Sequence, residues 1–268
     1  MPPQVMTAEV NGITLAYQEL GSGYPLVLIN GFASTMDMWN PPVLAAFAEQ
    51  FRIIIFDNRG TGYSSTSDDP FTISLFASDT LTLMDALGIT RAHLLGHSMG
   101  TCIAQELVLV HPERADRIVL VSGTCGGERM VRMKPEIWET LSDKSGTGMD
   151  LANRMFSVLF PPKWLIGHDP WQYCPDVHET TSAESAARQA EALFSWPGTY
   201  ERLPEIHSPT LVVTGTEDVV IPPSNSRILA DRIPGAGLEE IPGTGHGLMY
   251  QCPERFAERV LEFLCTRH

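Results

Sequence analysis

Short β-branched runs recur along the chain and alternate with stretches whose apolar residues return every three or four positions. The runs at 26–30, 53–57, 93–96, 118–122, 210–214 and 238–241 read as strands feeding a mostly parallel sheet. Two more are predicted at 7–10 and 13–18, joined by Asn11-Gly12, a dipeptide that closes two-residue hairpins. Ala77, Leu81 and Met84 give one apolar face to a helix over 74–87, which Gly88 is placed to end. Pro253 opens a last helix with a buried stripe of Phe256, Val260, Phe263 and Leu264. This pattern predicts the α/β class: a doubly wound, mostly parallel eight-stranded sheet with helices on both faces and its first strand pair antiparallel.

Between Gly126 and about Leu203 the strand rhythm stops, and Pro135, Pro161-Pro162, Pro170, Pro175 and Pro197 break the segment into short helical pieces. The predicted division is a core of residues 1–125 and 204–268 with a helical cap inserted at 126–203. Trp138, Trp164, Trp171 and Trp196 lie in that insertion with Phe156, Phe160, Tyr173 and Phe194. At any single position internal packing is the plainer reading, but as a group some of them should face a pocket. Trp138, Phe156, Phe160 and Trp164 are the expected substrate contacts.

Composition narrows the partners. The 268 residues hold 18 Lys+Arg against 32 Asp+Glu, a formal charge of −14, which argues against nucleic acid or an anionic membrane. No apolar run approaches the ~18–20 residues that span a bilayer. Met1-Pro2-Pro3-Gln4 has neither a basic stretch nor a following apolar one, so a cytoplasmic location is expected; a monomer or homodimer acting on a small molecule is the expected state. The five cysteines, Cys102, Cys125, Cys174, Cys252 and Cys265, are odd in number and unpatterned, which speaks against a disulfide framework. His178-Glu179 begins like a helical zinc motif, but Ser182 stands where the second ligand would be; neither metal nor cofactor is expected.

The chemistry gathers elsewhere. After Leu94-Leu95 comes Gly96-His97-Ser98-Met99-Gly100, followed by an apolar helix-like stretch with Ile103, Ala104, Leu107 and Val108. This is G-x-S-x-G in a strand-turn-helix setting, where a sharp turn lifts the serine hydroxyl clear of the sheet. The helix N-terminus behind it offers backbone N–H groups where an oxyanion would form. A serine hydroxyl needs a neighbouring imidazole to take its proton, and that imidazole needs a carboxylate to orient it. Asp218 and His246 follow two later strands and fit these roles, and strand ends are where ligands bind in open α/β sheets. Glu217 should point elsewhere from its turn, His207 precedes its strand, and His97 is expected to point behind the turn.

These motifs resemble the α/β-hydrolase family, and the resemblance runs from the Asn11-Gly12 hairpin to the last helix. Gly215-Thr216-Glu217-Asp218 is similar to the family's acid loop and Gly243-Thr244-Gly245-His246-Gly247 to its histidine loop, in the order Ser98, Asp218, His246. The resemblance implies an oxyanion hole made by the backbone N–H groups of Met99 and Phe32, the latter in Asn30-Gly31-Phe32-Ala33-Ser34. Many members have His-Gly where this chain has Asn30-Gly31. Phe32, Val219 and Leu248 are further expected substrate contacts. Asp57-Asn58-Arg59-Gly60-Thr61-Gly62 follows a strand but lacks the third glycine of a dinucleotide site, and the family assigns it a structural turn.

The expected activity is that of a serine hydrolase, carboxylesterase-like, on a small to medium, partly apolar substrate. Lactone opening, carbon–carbon bond hydrolysis and peracid formation use the same machinery in relatives, and a small-molecule binding protein on this fold is the alternative of a different class. Arg129, Arg132 and Lys134 read as a solvated basic face at the cap entrance.

Overall fold

A computed structural model describes residues 4–143 and 145–266. Eight strands form one sheet: β1 (Met6–Val10), β2 (Ile13–Leu20), β3 (Tyr24–Ile29), β4 (Phe51–Phe56), β5 (Ala92–His97), β6 (Ala115–Val121), β7 (Thr210–Gly215) and β8 (Gly237–Ile241). Their spatial order is β1-β2-β4-β3-β5-β6-β7-β8. β2 runs antiparallel to both neighbours, and the pairings from β4 through to β8 are parallel. Each predicted strand is present, with its ends shifted by three residues or fewer. At the hairpin, Asn11 and Gly12 take φ of 45° and 77°, the paired positive values of a two-residue turn, and Val10 faces Ile13.

The helices are α1 (Pro41–Ala48), α2 (Ile73–Ala86), α3 (Met99–Val110), α4 (Pro135–Ser142), α5 (Gly148–Leu159), α6 (Pro162–Gly167), α7 (Ala183–Ser195), α8 (Pro223–Arg232), α9 (Leu248–Gln251) and α10 (Pro253–Cys265). Strand side chains alternate between two buried layers. Val27, Ile29, Ile118 and Leu120 join α2, α3 and α8 on one face, while Leu26, Leu28, Val119 and Val121 join α1, α9 and α10 on the other. Helices therefore cover both faces, and the central strands show no polar alternation because neither side meets water.

Thr72 caps α2 by accepting from the Leu75 N–H at 3.0 Å, so the helix begins at Ile73, one residue before the predicted start. The buried stripe of α2 is Ile73, Phe76, Ala77, Thr80, Leu83 and Met84. Leu81, expected in that stripe, is only half-buried, because the 73–76–80–83 spacing turns Leu83 toward the sheet in its place.

Between β6 and β7 the chain forms α4 to α7 and short 3₁₀ turns, with no strand among the described residues. Ile29, Gly96, Leu120, Val212 and Leu238 stand in register across β3, β5, β6, β7 and β8. The loops after these five strands thus leave the sheet along one edge, beside the helical segment. Among the described residues no helix is long and apolar enough to cross a membrane.

One buried group makes stability depend on pH. His93 on β5 is 4% exposed, between the rings of Tyr24 and Phe51. Burial holds its pKa down at about 4, against the opposing pull of Asp116 and with help from Arg117 and Arg91. The unfolded chain takes this proton near 6.5, so between 6.5 and 4 the unfolded state binds more protons and stability falls as pH falls. At pH 5 the loss from this residue is about 2 kcal/mol. His93→Phe is expected to lose less stability than wild type between pH 7 and pH 5 by roughly that amount in urea unfolding; parallel pH curves for the two proteins would contradict it.

Candidate active site

Ser98 sits at the sharp turn between β5 and α3 with φ 55° and ψ −119°, a conformation that an L-residue holds only when its surroundings impose it. The Ser98 N–H donates to the Val121 carbonyl at 2.9 Å, and the Thr101 N–H donates to the Ser98 carbonyl at 2.9 Å. Close packing dictates the small neighbours: a Cβ on Gly100 would stand 2.0 Å from the Ile29 carbonyl oxygen. A Cβ on Gly31 would stand 2.9 Å from the Ser98 Cβ, so the loop after β3 lies directly against the serine. Ala33 and Ser122 also have positive φ, 52° and 49°, so strained backbone recurs in the loops after β3 and β6.

The acid and the histidine meet across the loops after β7 and β8. His246 Nδ1 lies 2.8 Å from Asp218 Oδ2, with 4% and 3% of the two residues exposed. Asp218 Oδ1 accepts from the Val220 and Ile221 N–H groups at 2.9 and 2.8 Å, which leaves its other oxygen aimed at the imidazole. A carboxylate so placed makes Nδ1 the protonated nitrogen and leaves Nε2 free to accept. His97, next to Ser98 in the chain, was expected behind the turn; its ring packs 5.0 Å from that of His246, with Nε2 at 3.4 Å from the His246 carbonyl oxygen. Burial and the neighbouring imidazole hold the His97 pKa down at about 3, so the ring is neutral and donates that hydrogen bond as a fixed prop.

The loop after β3 is held from two sides. Asn30 Oδ1 accepts from the Gly31 N–H at 2.9 Å, and its amide donates to the Thr35 carbonyl at 2.6 Å. The departure from His-Gly at this position therefore supplies the loop with its own internal bonds. The 57–64 stretch folds as a turn that braces the same loop: Asp57 Oδ1 accepts from the Met36 N–H at 2.7 Å and the Asn58 amide donates to the Asn30 carbonyl at 3.3 Å. From the other side, Gln189 on α7 accepts from the Ala33 N–H at 2.8 Å and Thr181 donates to the Ala33 carbonyl at 3.0 Å.

A cavity of about 80 Å³ opens on Ser98. Phe32, Met99, Cys102, Thr124 and Gly126 line it from the core, and Val220 and Ile221 from the acid loop. The helical segment adds Met130, Met133, Trp138 and Leu141, and then Leu193, Phe194 and Trp196 from the end of α7 and just beyond it. Of the seven expected substrate contacts, Phe32 and Trp138 are brought to this cavity, with their rings 5.8 Å apart.

The other five stand elsewhere. Val219 is 44% exposed, because the bonds from Val220 and Ile221 to Asp218 curl the turn inward at those two residues and outward at Val219. Leu248 is buried with Met249 and Phe256 under the opposite face of the sheet. Phe156 and Phe160 lie 5.9 Å apart and Phe160 stacks on Trp164 at 4.7 Å, in a cluster that packs against Gly247 of the histidine loop. No aromatic count distinguishes that cluster from the cavity wall. For Val220 and Ile221 a signal existed, since residues beside a turn carboxylate commonly bond it through their N–H groups.

Further polar bonds join the helical segment to the core. Glu106 accepts from Trp196 Nε1 at 2.8 Å and from Arg202 at 2.6 Å. Asn225 on α8 makes a two-way pairing with the backbone of Val131, at 2.8 Å in each direction. Arg129, read as part of a solvated face, lies over the Tyr200 ring at 5.1 Å. Among the described residues no cluster of three or more His, Cys, Asp or Glu side chains is placed to hold a metal ion.

The sheet order, the strained serine turn and the buried acid–histidine pair define a hydrolase class, and the chain belongs to the alpha/beta hydrolase family, whose pattern matches residues 26–259. A protein of Caulobacter sp. (strain K31) that carries the name carbamate hydrolase RutD is 33% identical over 244 residues, 89% of this chain and 90% of its own. Among solved structures, the enol-lactonase from Burkholderia xenovorans LB400 superposes with a TM-score of 0.82 at 30% identity, covering 97% of this chain and 100% of that one. A thermophilic esterase from Thermogutta terrifontis superposes with a TM-score of 0.81 at 26% identity, covering 97% and 98%.

Proposed function

We propose that the protein is a serine hydrolase that cleaves carboxylic esters of small to medium, partly apolar substrates through a Ser98–His246–Asp218 triad, under a helical cap at 126–203. The observation that carries this reading is the buried 2.8 Å pairing of His246 with Asp218, in loops that leave the same sheet edge as the strained turn at Ser98. The esterase and the enol-lactonase similar to it over nearly the whole chain favour an acyl–oxygen bond as the target.

In this mechanism His246 Nε2 takes the Ser98 proton as Oγ attacks the substrate carbonyl carbon, and the carbonyl electron pair moves onto oxygen. The N–H groups of Met99 and Phe32 hold that oxyanion, each worth about 3 kcal/mol in the transition state. Collapse breaks the bond to the alcohol, which leaves with the proton from His246. Water, deprotonated by the same histidine, then attacks the acyl-enzyme and releases the acid and Ser98. Asp218 stays ionised and stabilises the imidazolium at each stage. The apolar cavity excludes water from the reacting atoms. The same reading gives a cytoplasmic enzyme, in keeping with five unpaired cysteines, acting as a monomer or homodimer.

Intact-mass detection of labelling by a small serine-reactive phosphonate tests the reading. Wild type is expected to take one adduct and Ser98→Ala none, while His246→Ala labels at least about a hundredfold more slowly for want of a base. An adduct that persists in Ser98→Ala, or none on folded wild type, would overturn it.

A further inference from the structure

We infer that the cavity on Ser98 is the seat of the acyl group alone, and that it selects short, uncharged aliphatic acids of about three or four carbons. The inference rests on the proposed triad and adds to it a side, a size and a polarity.

The side follows from the proton. An alcohol leaves with a proton from His246, so it must lie on that histidine's side of Ser98. The cavity touches Ser98 and the two proposed oxyanion donors, yet His246 is not in its wall. A carbonyl carbon bonded to Ser98 Oγ, with its oxygen toward Met99 and Phe32, therefore has its alcohol outside this space and its acyl chain within it.

The size follows from the volume and from its mostly buried inner lining. Cys102, Leu141, Trp196, Val220 and Ile221 are each at most 8% exposed, and at the outer rim half-buried Trp138 meets exposed Phe194 edge to face at 4.8 Å. A volume of about 80 Å³ is roughly half of an apolar cavity that admits benzene. Six carbons do not fit, and three or four do.

The polarity follows from the wall's hydrogen bonds. Among the described residues no charged side chain lines the cavity. Among the described lining residues Thr124 has the one hydroxyl besides Ser98, and that oxygen is engaged with Asn225 Oδ1 at 3.2 Å and the Gly126 N–H at 3.1 Å. The Thr124 carbonyl accepts from Gln105 Nε2 at 3.0 Å. The Cys102 thiol is pushed up to about 12 by burial and stays neutral. A carboxylate on the acyl chain would enter with its water stripped and nothing to pair with.

A ladder of 4-nitrophenyl acetate, butyrate, hexanoate and octanoate tests size. The expected kcat/KM rises about tenfold from acetate to butyrate, as two methylenes are buried, and falls at least tenfold at hexanoate. Leu141→Ala and, as a milder change, Met133→Ala are expected to move the optimum toward hexanoate. The 4-nitrophenyl monoester of succinate, against butyrate, tests polarity and is expected to be at least a hundredfold poorer. Turnover that is level or rising through octanoate, or succinate accepted as well as butyrate, overturns the acyl-pocket inference while phosphonate labelling of Ser98 keeps the hydrolase reading. Absence of both label and ester turnover overturns the two together.

Discussion

His246→Ala is expected to lower kcat on a short ester by about 10⁶-fold, and Asp218→Asn by about 10⁴-fold, with KM changed little in either. The two magnitudes differ for a structural reason. In the proposed mechanism, removing the imidazole removes both the base for Ser98 and the acid for the leaving alcohol. Asp218→Asn keeps the ring in place, but an amide NH₂ opposite His246 Nδ1 favours the tautomer with the proton on Nε2, where Ser98 needs an acceptor. In Asp218→Asn one amide oxygen still accepts the Val220 and Ile221 N–H groups at the positions now 2.9 and 2.8 Å from Oδ1, so the turn survives and the loss is chemical. If the proposed triad acts as one unit, Ser98→Ala/His246→Ala is expected to be no slower than either single variant. Steady-state kinetics on these variants checks the set, and a double variant slower by the product of the two single losses would show that the residues work separately.

Asp79→Ala is expected to destabilise the fold by about 3–5 kcal/mol, which for a chain of this length lowers the melting temperature by about 10 °C. Arg59 is fully buried and forks onto Asp79, Nε to Oδ2 at 2.5 Å and one NH₂ to Oδ1 at 2.7 Å. Its remaining NH₂ donates to Ser67 at 2.9 Å, and Asn11 of the first hairpin donates to Asp79 Oδ1 at 2.9 Å. Removing the carboxylate leaves a guanidinium in an apolar interior without a counter-charge, which costs more than the pair itself contributes. Replacing both by apolar residues, as Arg59→Met/Asp79→Leu, should therefore be milder than Asp79→Ala. Thermal melts of the three variants decide it; a double variant less stable than the single one would mean that the pair is itself a large net stabiliser. The consequence reaches the site, because Arg59 follows Asp57 and Asn58, which brace the loop carrying Phe32.

The particular residues show how far the sequence could be read. Asn11-Gly12, the apolar runs and the glycines around Ser98 are local signals: each states a backbone conformation or a period that its own neighbours enforce. The placement of Ser98, Asp218 and His246 just beyond strands was legible for the same reason, since a strand end in a parallel sheet faces the common edge. The stripe of α2 went astray at Leu81 because two apolar residues, Leu81 and Leu83, compete for one face and the sheet decides between them. His97 and Gln189 carried no signal at all. A lone histidine and a helical glutamine become props only when another loop arrives beside them.

The cavity wall marks the same boundary. Val219 and Leu248 were chosen by nearness to Asp218 and His246 along the chain, yet side-chain direction reverses from one turn residue to the next, and it was Val220 and Ile221 that faced Ser98. Of the aromatic residues in the helical segment, Trp138, Phe194 and Trp196 reach the cavity, while Phe160 packs on the histidine loop with Phe156 and Trp164 against it. What the sequence by itself determined is the order of strands and helices, the eight-stranded α/β fold and the three residues at its strand ends, because these follow from local conformation and periodicity. Which side chains enclose the reacting serine, how large a space they leave and which polar pins hold that enclosure shut were decided only by the tertiary structure, because α4 and α7 meet Ser98 across long stretches of chain and that meeting is set by packing between them, not by the neighbours of any one residue.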